Sequence, residues 1–485
     1  MATETPAITT STIVDITRSE PPRAARRAPA TAIYLIVALV FTGHLALGAN
    51  RDSLALGFAA AWFALLAWTL SGASARRSLS GTSAPGLEAI LFGLVLLAAV
   101  VSLTPFGIGG PNPVWTYVPR AVAIVSIDPY ATLLEIVKLL ALGAAFMVGR
   151  IVGADDERAA RLLRALLAAG AFYSAWALID HASNPDSLFG APRPFDPTRL
   201  SASFGSANTA ATLFGALILL GLADCQRTYE RVRPRTAFHS SHVQKVLPAM
   251  LRPVVTLLLN AACIVETLSR AGTAATAGVA VVLVGALALL GARRSASFIP
   301  VIAILFIVIG GMITLGGDEL LSRVAFFERD STSRSHIFAA HWAAFLTAPW
   351  SGYGLGSFHH INATIMTASN VGVLDSLGAA HNVYVQWLEE AGLVGALPMF
   401  ATVAVIGVRL GVGALRRGRM RAWLLAILAV LALFALHGAS DYALQTPSMA
   451  LVLSLVLGVG VSAASAGRSK TSANAPLVVA TGRAG

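Results

Sequence analysis

Residues 381–412 read HNVYVQWLEEAGLVGALPMFATVAVIGVRLGV, a histidine and a mixed lead-in followed by an apolar run whose one charge between Ala391 and Val412 is Arg409. A helix rises 1.5 Å per residue, so about 20 apolar residues cross roughly 30 Å of hydrocarbon. The run reads as a membrane span. His381 then stands where a water-exposed loop enters the bilayer, wet enough to exchange protons and fixed by the helix that follows.

Working outward from 391–412, comparable windows occur at 31–48, 53–71, 86–104, 131–149, 163–180, 207–224, 253–268, 272–292, 297–315, 422–438 and 447–465. Composition agrees: 56% of the 485 residues are apolar, 12% are charged, and mean hydropathy is +0.72, outside the range of soluble domains. Period-two alternation is missing, which argues against an outer-membrane barrel. The expected fold is an all-α integral membrane protein of about 12 transmembrane helices with one large outer loop carrying short helices. Its order is a polar tail over 1–28, spans 1–9 within 29–315, the large loop over 316–390, spans 10–12 within 391–465, and a polar tail over 466–485. Both tails have the composition of disordered chain. The first span lacks a small-residue cleavage site and reads as an uncleaved anchor. Cys225 and Cys263 are not expected to pair, and no Cys/His spacing indicates structural metal.

The net charge of +11 raises nucleic acid as a partner, but the placement of the basic residues argues otherwise. With the N-terminus inside, 26 of the 35 Lys and Arg residues fall on one side: the tails, Arg76–Arg77, Arg150–Arg164, Arg227–Arg252, Arg293–Arg294 and Arg409–Arg421. That asymmetry follows the positive-inside rule. Arg51, Arg120, Arg193, Arg199, Arg270, Arg323, Arg329 and Arg334 fall outside, and Lys138 lies within a span. In the large loop, SRSHIFAAHWAAFLTA following Asp330 predicts a helix closed by Pro349 and the turn SGYGLGSF, with Ile337, Phe338, Trp342, Phe345 and Leu346 as a face lying on the bilayer.

Four polar groups converge on the outer face. They are RLSASFGSAN (Arg199 to Asn208), the tight turn LSRAG (Leu268 to Gly272), the loop region 329–358 with Arg334, and 381–395. Arginine suits phosphate or pyrophosphate because its planar fork donates paired hydrogen bonds and stays charged. The simpler alternative has these arginines touching lipid headgroups or pairing with Asp186, Asp196 or Glu328. A neutral histidine can act as a general base; on position alone, a cap for the following helix is the simpler role for His381. His336, His341, His359, His360 and His437 read as structural or interfacial, and no spacing among them supports zinc. Glu135 and Lys138, at i,i+3, can neutralise each other, and Asp441 could orient a histidine or an arginine.

His381-Asn382, nine residues, Gly392, two residues and Gly395 together resemble the signature of the O-antigen ligase and O-antigen polymerase superfamily. RLSASFGSAN is similar to that family's arginine-bearing stretch, with Ala202 where Gly is usual and Ala207 where Pro is usual. LSRAG resembles its Ser-Arg-Gly turn, with Ala271 in place of Gly. PWSGYGLGSF resembles the glycine-rich run before the histidine. The likeness covers about residues 190–450. It implies transfer of a glycan from undecaprenyl pyrophosphate to an acceptor, lipid A–core or another glycan, at the periplasmic face of a bacterial inner membrane. By the resemblance, His381 is the catalytic base, Arg199, Arg270 and Arg334 hold the pyrophosphate, and Asn208, Asn382, Gly392, Gly395 and Asp441 support them. No cofactor or metal is implied, in keeping with the lack of a D-x-D motif, and the anomeric centre would be inverted. The expected partners are the lipid-linked donor, the acceptor and the bilayer, with no nucleic acid. Ligase and polymerase are not separated by these motifs. A transporter would require internal repeats and mid-bilayer charges, neither of which stands out, and a scaffold would leave the outer Arg and His groups unexplained.

Overall fold

The computed structural model describes residues 23–72, 86–193, 196–232, 240–290, 327–375 and 377–465. Its helices are α1 (Arg23–Leu45), α2 (Asp52–Ser71), α3 (Leu87–Val101), α4 (Pro129–Gly153), α5 (Asp156–Ser183), α6 (Ala207–Val232), α7 (Ser240–Glu266) and α8 (Arg270–Leu290). There follow α9 (Phe327–Thr347), α10 (Phe358–Ile365), α11 (Val371–Leu374), α12 (Val383–Arg416), α13 (Arg421–His437) and α14 (Pro447–Ser465). A two-residue hairpin pairs Ser187–Leu188 with Ala191–Pro192. Among the described residues, eight helices are long and apolar enough to cross a membrane, and three shorter apolar helices cover Thr31–Leu45, Leu87–Val101 and Arg421–His437. Eleven of the twelve apolar windows therefore coincide with helices; the window 297–315 and the tail 466–485 lie outside the described residues.

Two boundaries differ from the sequence reading. Helix α1 begins at Arg23, inside the stretch assigned to the polar tail, because RAARRAPA consists largely of strong helix formers. Helix α12 begins at Val383 and not at Ala391: the Asn382 side chain accepts from the Tyr384 and Val385 N–H groups and starts the helix within the polar lead-in. Hydropathy marks where lipid begins, whereas capping marks where the helix begins.

The bundle is organised around α6, which is buried almost continuously from Ala207 to Gln226 and packs against α7, α13, α8 and α5. A helix apolar on every side belongs in such a position. Helices α4 and α14 approach until the backbones touch: a Cβ on Gly149 or Gly458 would strike a carbonyl of the opposite helix, Leu455 or Phe146 respectively. Small residues permit the close van der Waals contact that holds helices together where lipid offers no hydrophobic drive.

Charge sorts the two ends of the bundle. At one end Arg417 pairs with Asp156 at 2.8 Å, Arg252 with Asp224 at 2.6 Å and Arg419 with Glu157 at 3.4 Å, while Arg421 donates to the Leu290 carbonyl. These contacts join α6 to α7 and gather the termini of α5, α8, α12 and α13. Glu135 and Lys138 do neutralise each other, at 2.6 Å. Cys225 and Cys263 are buried free thiols. The opposite end carries the polar groups singled out above.

Candidate functional site

The site rests on a break in α12. Gly392 leaves helical geometry at φ 59, ψ −175, in a region that only glycine populates readily. The break exposes the Glu389 and Glu390 carbonyls, which accept from Tyr353 N–H at 3.0 Å and Gly354 N–H at 2.8 Å. Beyond it, Leu393 and Val394 N–H donate to the Pro349 and Trp350 carbonyls at 2.9 and 3.1 Å. The run PWSGYG is thus threaded into the helix, and a Cβ on Gly392 or Gly352 would collide with the backbone of the other segment. This contact is what the two glycine-rich motifs build together. Gly395 resumes the helix and packs toward Ala98 of α3.

Helix α9 is clamped to the same place. Ile337, His341, Ala344 and Phe345 are buried, and His341 Nδ1 lies 2.8 Å from Glu389 Oε2, with both side chains fully buried. Trp342 and Leu346 face outward at 46% and 58% exposure. The helix is therefore packed into the bundle along one face and does not merely lie on a surface. The outer segment before α4 joins the junction as well, Ile127 N–H donating to the Tyr353 carbonyl at 2.9 Å.

His381 sits at the start of α12 but does not cap it, because Asn382 does. Its backbone is left-handed, φ 54, as are those of Ala202 (φ 50) and Leu268 (φ 49). Each of the three loops thus holds a non-glycine residue where L side chains are disfavoured by about 1–2 kcal/mol. The His381 ring meets Tyr442 edge-on at 4.9 Å, and its Nδ1 is buried without a hydrogen-bond partner. Burial holds its pKa below the ordinary 6.5; Asp441 acts to raise it and Arg334 to lower it further. Asp441 is fully buried, with Oδ2 accepting from Ala443 N–H at 3.1 Å and Oδ1 unpartnered. Burial also raises the Tyr442 phenol, against an opposing hydrogen bond with Ser206.

His437, which the sequence offered as structural or interfacial, enters the same cluster. It lies in the field of Asp441 and Arg334, its Nδ1 is 2.8 Å from Thr212 Oγ1, and its buried Nε2 has no partner. No spacing motif marks it; its place on the last turn of α13 was the available signal. The His381 loop is tied to that turn by Val383 N–H donating to the Gly438 carbonyl at 2.8 Å.

The arginine loops are stitched to each other and to this cluster. Arg199 donates through Nε to the Thr267 carbonyl and through a terminal nitrogen to Asn208 Oδ1, both at 3.1 Å, and Leu200 N–H donates to the Glu266 carbonyl at 2.9 Å. Arg270 opens α8 two residues before Gly272, where a Cβ would touch Ala211 of α6 and the His437 ring. Arg193 is a different case: it pairs with Asp180 at 2.5 Å and donates to Ser201 and the Ala202 carbonyl, bracing the loop. The structure thus gathers His381, Arg334 and Asp441 into one electrostatic group, with Arg199, Asn208 and Arg270 on the adjoining stitched turns. Asn382, Gly392 and Gly395 build the support beneath it. Among the described residues no group of three or more His, Cys, Asp or Glu is placed to hold a metal.

The left-handed φ at Ala202 explains why glycine is usual there, and Ala207 as the first residue of α6 stands where proline is readily accommodated. Residues 255–400 match the family model described as O-antigen ligase. That segment includes Arg270, Arg334 and His381, while Arg199, His437 and Asp441 lie outside it. No curated protein matches the chain.

Proposed function

We propose, from the match of residues 255–400 to the family model described as O-antigen ligase, that the chain is a membrane glycan transferase of the O-antigen ligase and polymerase superfamily and moves a glycan from undecaprenyl pyrophosphate to an acceptor hydroxyl. The reaction takes place at the periplasmic face of a bacterial inner membrane. The observation that carries this reading is the partly buried, uncapped His381 beside Asp441 and Arg334, next to the turns that bear Arg199 and Arg270. Burial keeps the imidazole neutral and able to take a proton. The acceptor oxygen attacks the anomeric carbon, its proton passes to His381, and the bond from that carbon to the pyrophosphate oxygen breaks. Asp441 stabilises the imidazolium formed, and the arginines stabilise the charge on the departing pyrophosphate. Attack opposite the leaving group inverts the anomeric centre, and the arginines supply the charge that other transferases take from a metal.

Ligase and polymerase share this chemistry and differ in acceptor, for which lipid A–core is the first choice. The test is the envelope of a deletion strain. Accumulated lipid-linked polymer with no O-antigen on the core identifies a ligase. A core bearing a single repeat identifies an O-antigen polymerase, and loss of a separate exopolysaccharide identifies that polymer's polymerase. An envelope unchanged in every glycan contradicts the proposal.

A further inference from the structure

We infer that a cavity beside the His381 loop receives the acceptor as an uncharged sugar, 2-acetamido sugars included, an assignment that rests on the glycan-transfer reading above. The cavity has a volume of about 680 Å³ and lies among α2, α4, α14 and the turn leading into α10, within the range of about 300–1,000 Å³ usual for small-ligand sites. Leu139, Leu142 and Leu451 make its apolar wall. Toward the outer end the lining changes to Asp128, Glu135, Glu390, Gln386 and Gln445, with the Trp387 ring beside them. A pyranose offers vicinal hydroxyls that both donate and accept, and one face of C–H groups. Carboxylates and amides meet the first and an indole meets the second.

The charge of this wall decides what it admits. Asp52 and Asp128 line it, Glu135 is neutralised there by Lys138, and none of Arg199, Arg270 and Arg334 lines it. A pyrophosphate or a uronic acid would face like charge there, so the anionic donor is directed to the arginine turns and a neutral sugar to the cavity. Glu390 is placed for the task by two bonds, from Gly356 N–H at 2.9 Å and from the Gln386 amide at 3.0 Å. The cavity also adjoins the loop that carries the base: Gly378 and Gln386 are lining residues, and Gln386 Oε1 accepts from the N–H of Ala380, the residue before His381, at 3.1 Å. The segment from 378 to 386 thus both borders the sugar cavity and carries His381, so a sugar seated there lies next to the loop of the base.

The test is saturation-transfer NMR on the protein in nanodiscs with methyl glucoside, methyl N-acetylglucosaminide and methyl glucuronoside as probes. The two uncharged glycosides are expected to receive saturation, about fivefold less in Trp387→Ala given an aromatic contact of about 1 kcal/mol, and less again in Glu135→Gln. Inorganic pyrophosphate and Arg270→Ala should leave their signals unchanged. Should Trp387→Ala not fold, His359→Ala, an exposed lining residue, replaces it. No transfer to either uncharged glycoside, signals untouched by every cavity variant, or a stronger glucuronoside signal would overturn the assignment. The glycan-transfer reading fails separately: wild-type protein that binds the glycosides but moves no glycan sinks that reading and the acceptor role with it. Wild-type transfer with an unaltered acceptor KM in Trp387→Ala sinks the cavity alone.

Discussion

Replacing Gly392 with alanine isolates the physical reason for the signature His-Asn followed by Gly-x-x-Gly. The added methyl must enter space held by the Trp350 carbonyl and the Gly352 nitrogen, both backbone atoms that no rotamer change can move. Forcing a non-glycine residue to φ 59, ψ −175 costs about 1–3 kcal/mol. Pushing the PWSGYG turn away weakens the four backbone hydrogen bonds that cross the break, and losing two of them adds about 2 kcal/mol. The expected destabilisation is about 3–5 kcal/mol, a large share of the roughly 5–15 kcal/mol that holds a typical fold. It should appear as a lowered midpoint when the detergent-solubilised protein is unfolded by heat or sodium dodecyl sulfate, with the protein still inserted in the membrane. Because His381 and Asn382 open the same helix, a shift near 1 Å should also lower glycan transfer roughly 100-fold. Gly395→Ala is the milder comparison: its methyl meets the Ala391 Cβ at 2.8 Å across the break, and no backbone atom, so it should cost about 1–3 kcal/mol, less than Gly392→Ala. If Gly392→Ala matches wild type in midpoint and transfer, or if Gly395→Ala is the more damaging, the threaded junction does not organise the site.

Further expectations concern the cluster itself. Asp441→Asn removes the charge that raises the His381 pKa, so the acid limb of kcat/KM should move to lower pH and the plateau should fall, while Arg334→Gln should move that limb to higher pH; a limb that moves in neither variant refutes the coupling. Arg270→Lys keeps the charge and loses the fork, so transfer should drop about tenfold and Arg270→Ala about 100-fold; transfer and donor binding unchanged in both variants would remove Arg270 from the anion site. Ala202→Gly relieves the left-handed strain at φ 50 and should raise the unfolding free energy by about 0.5–1 kcal/mol, seen as a higher midpoint, without loss of transfer, after the unfolded chain's added freedom is subtracted; a lowered midpoint contradicts the strain.

Much of the fold is legible in one dimension because lipid imposes a length and a polarity on every span, which is why 163–180 and 447–465 fall inside α5 and coincide with α14. Boundaries are less so: Arg23 and Val383 begin helices for reasons of propensity and capping that hydropathy does not weigh. His381, Arg199, Arg270 and Arg334 stood out because a charge or imidazole on the outer side needs a reason once the inner basic residues are explained. The position of His437 depends on three helices meeting, through Thr212, Gly272 and Asp441, and no local spacing encodes that. The carboxylate-lined cavity is harder still to read, since its walls come from segments as distant as Asp52 and Leu451.

The most direct test of the account is glycan transfer in proteoliposomes from purified undecaprenyl-pyrophosphate-linked glycan to the acceptor, comparing wild type with His381→Ala. Removing the base should lower turnover by about 100-fold or more, with donor binding and the unfolding midpoint close to wild type. Full turnover by His381→Ala would contradict the account.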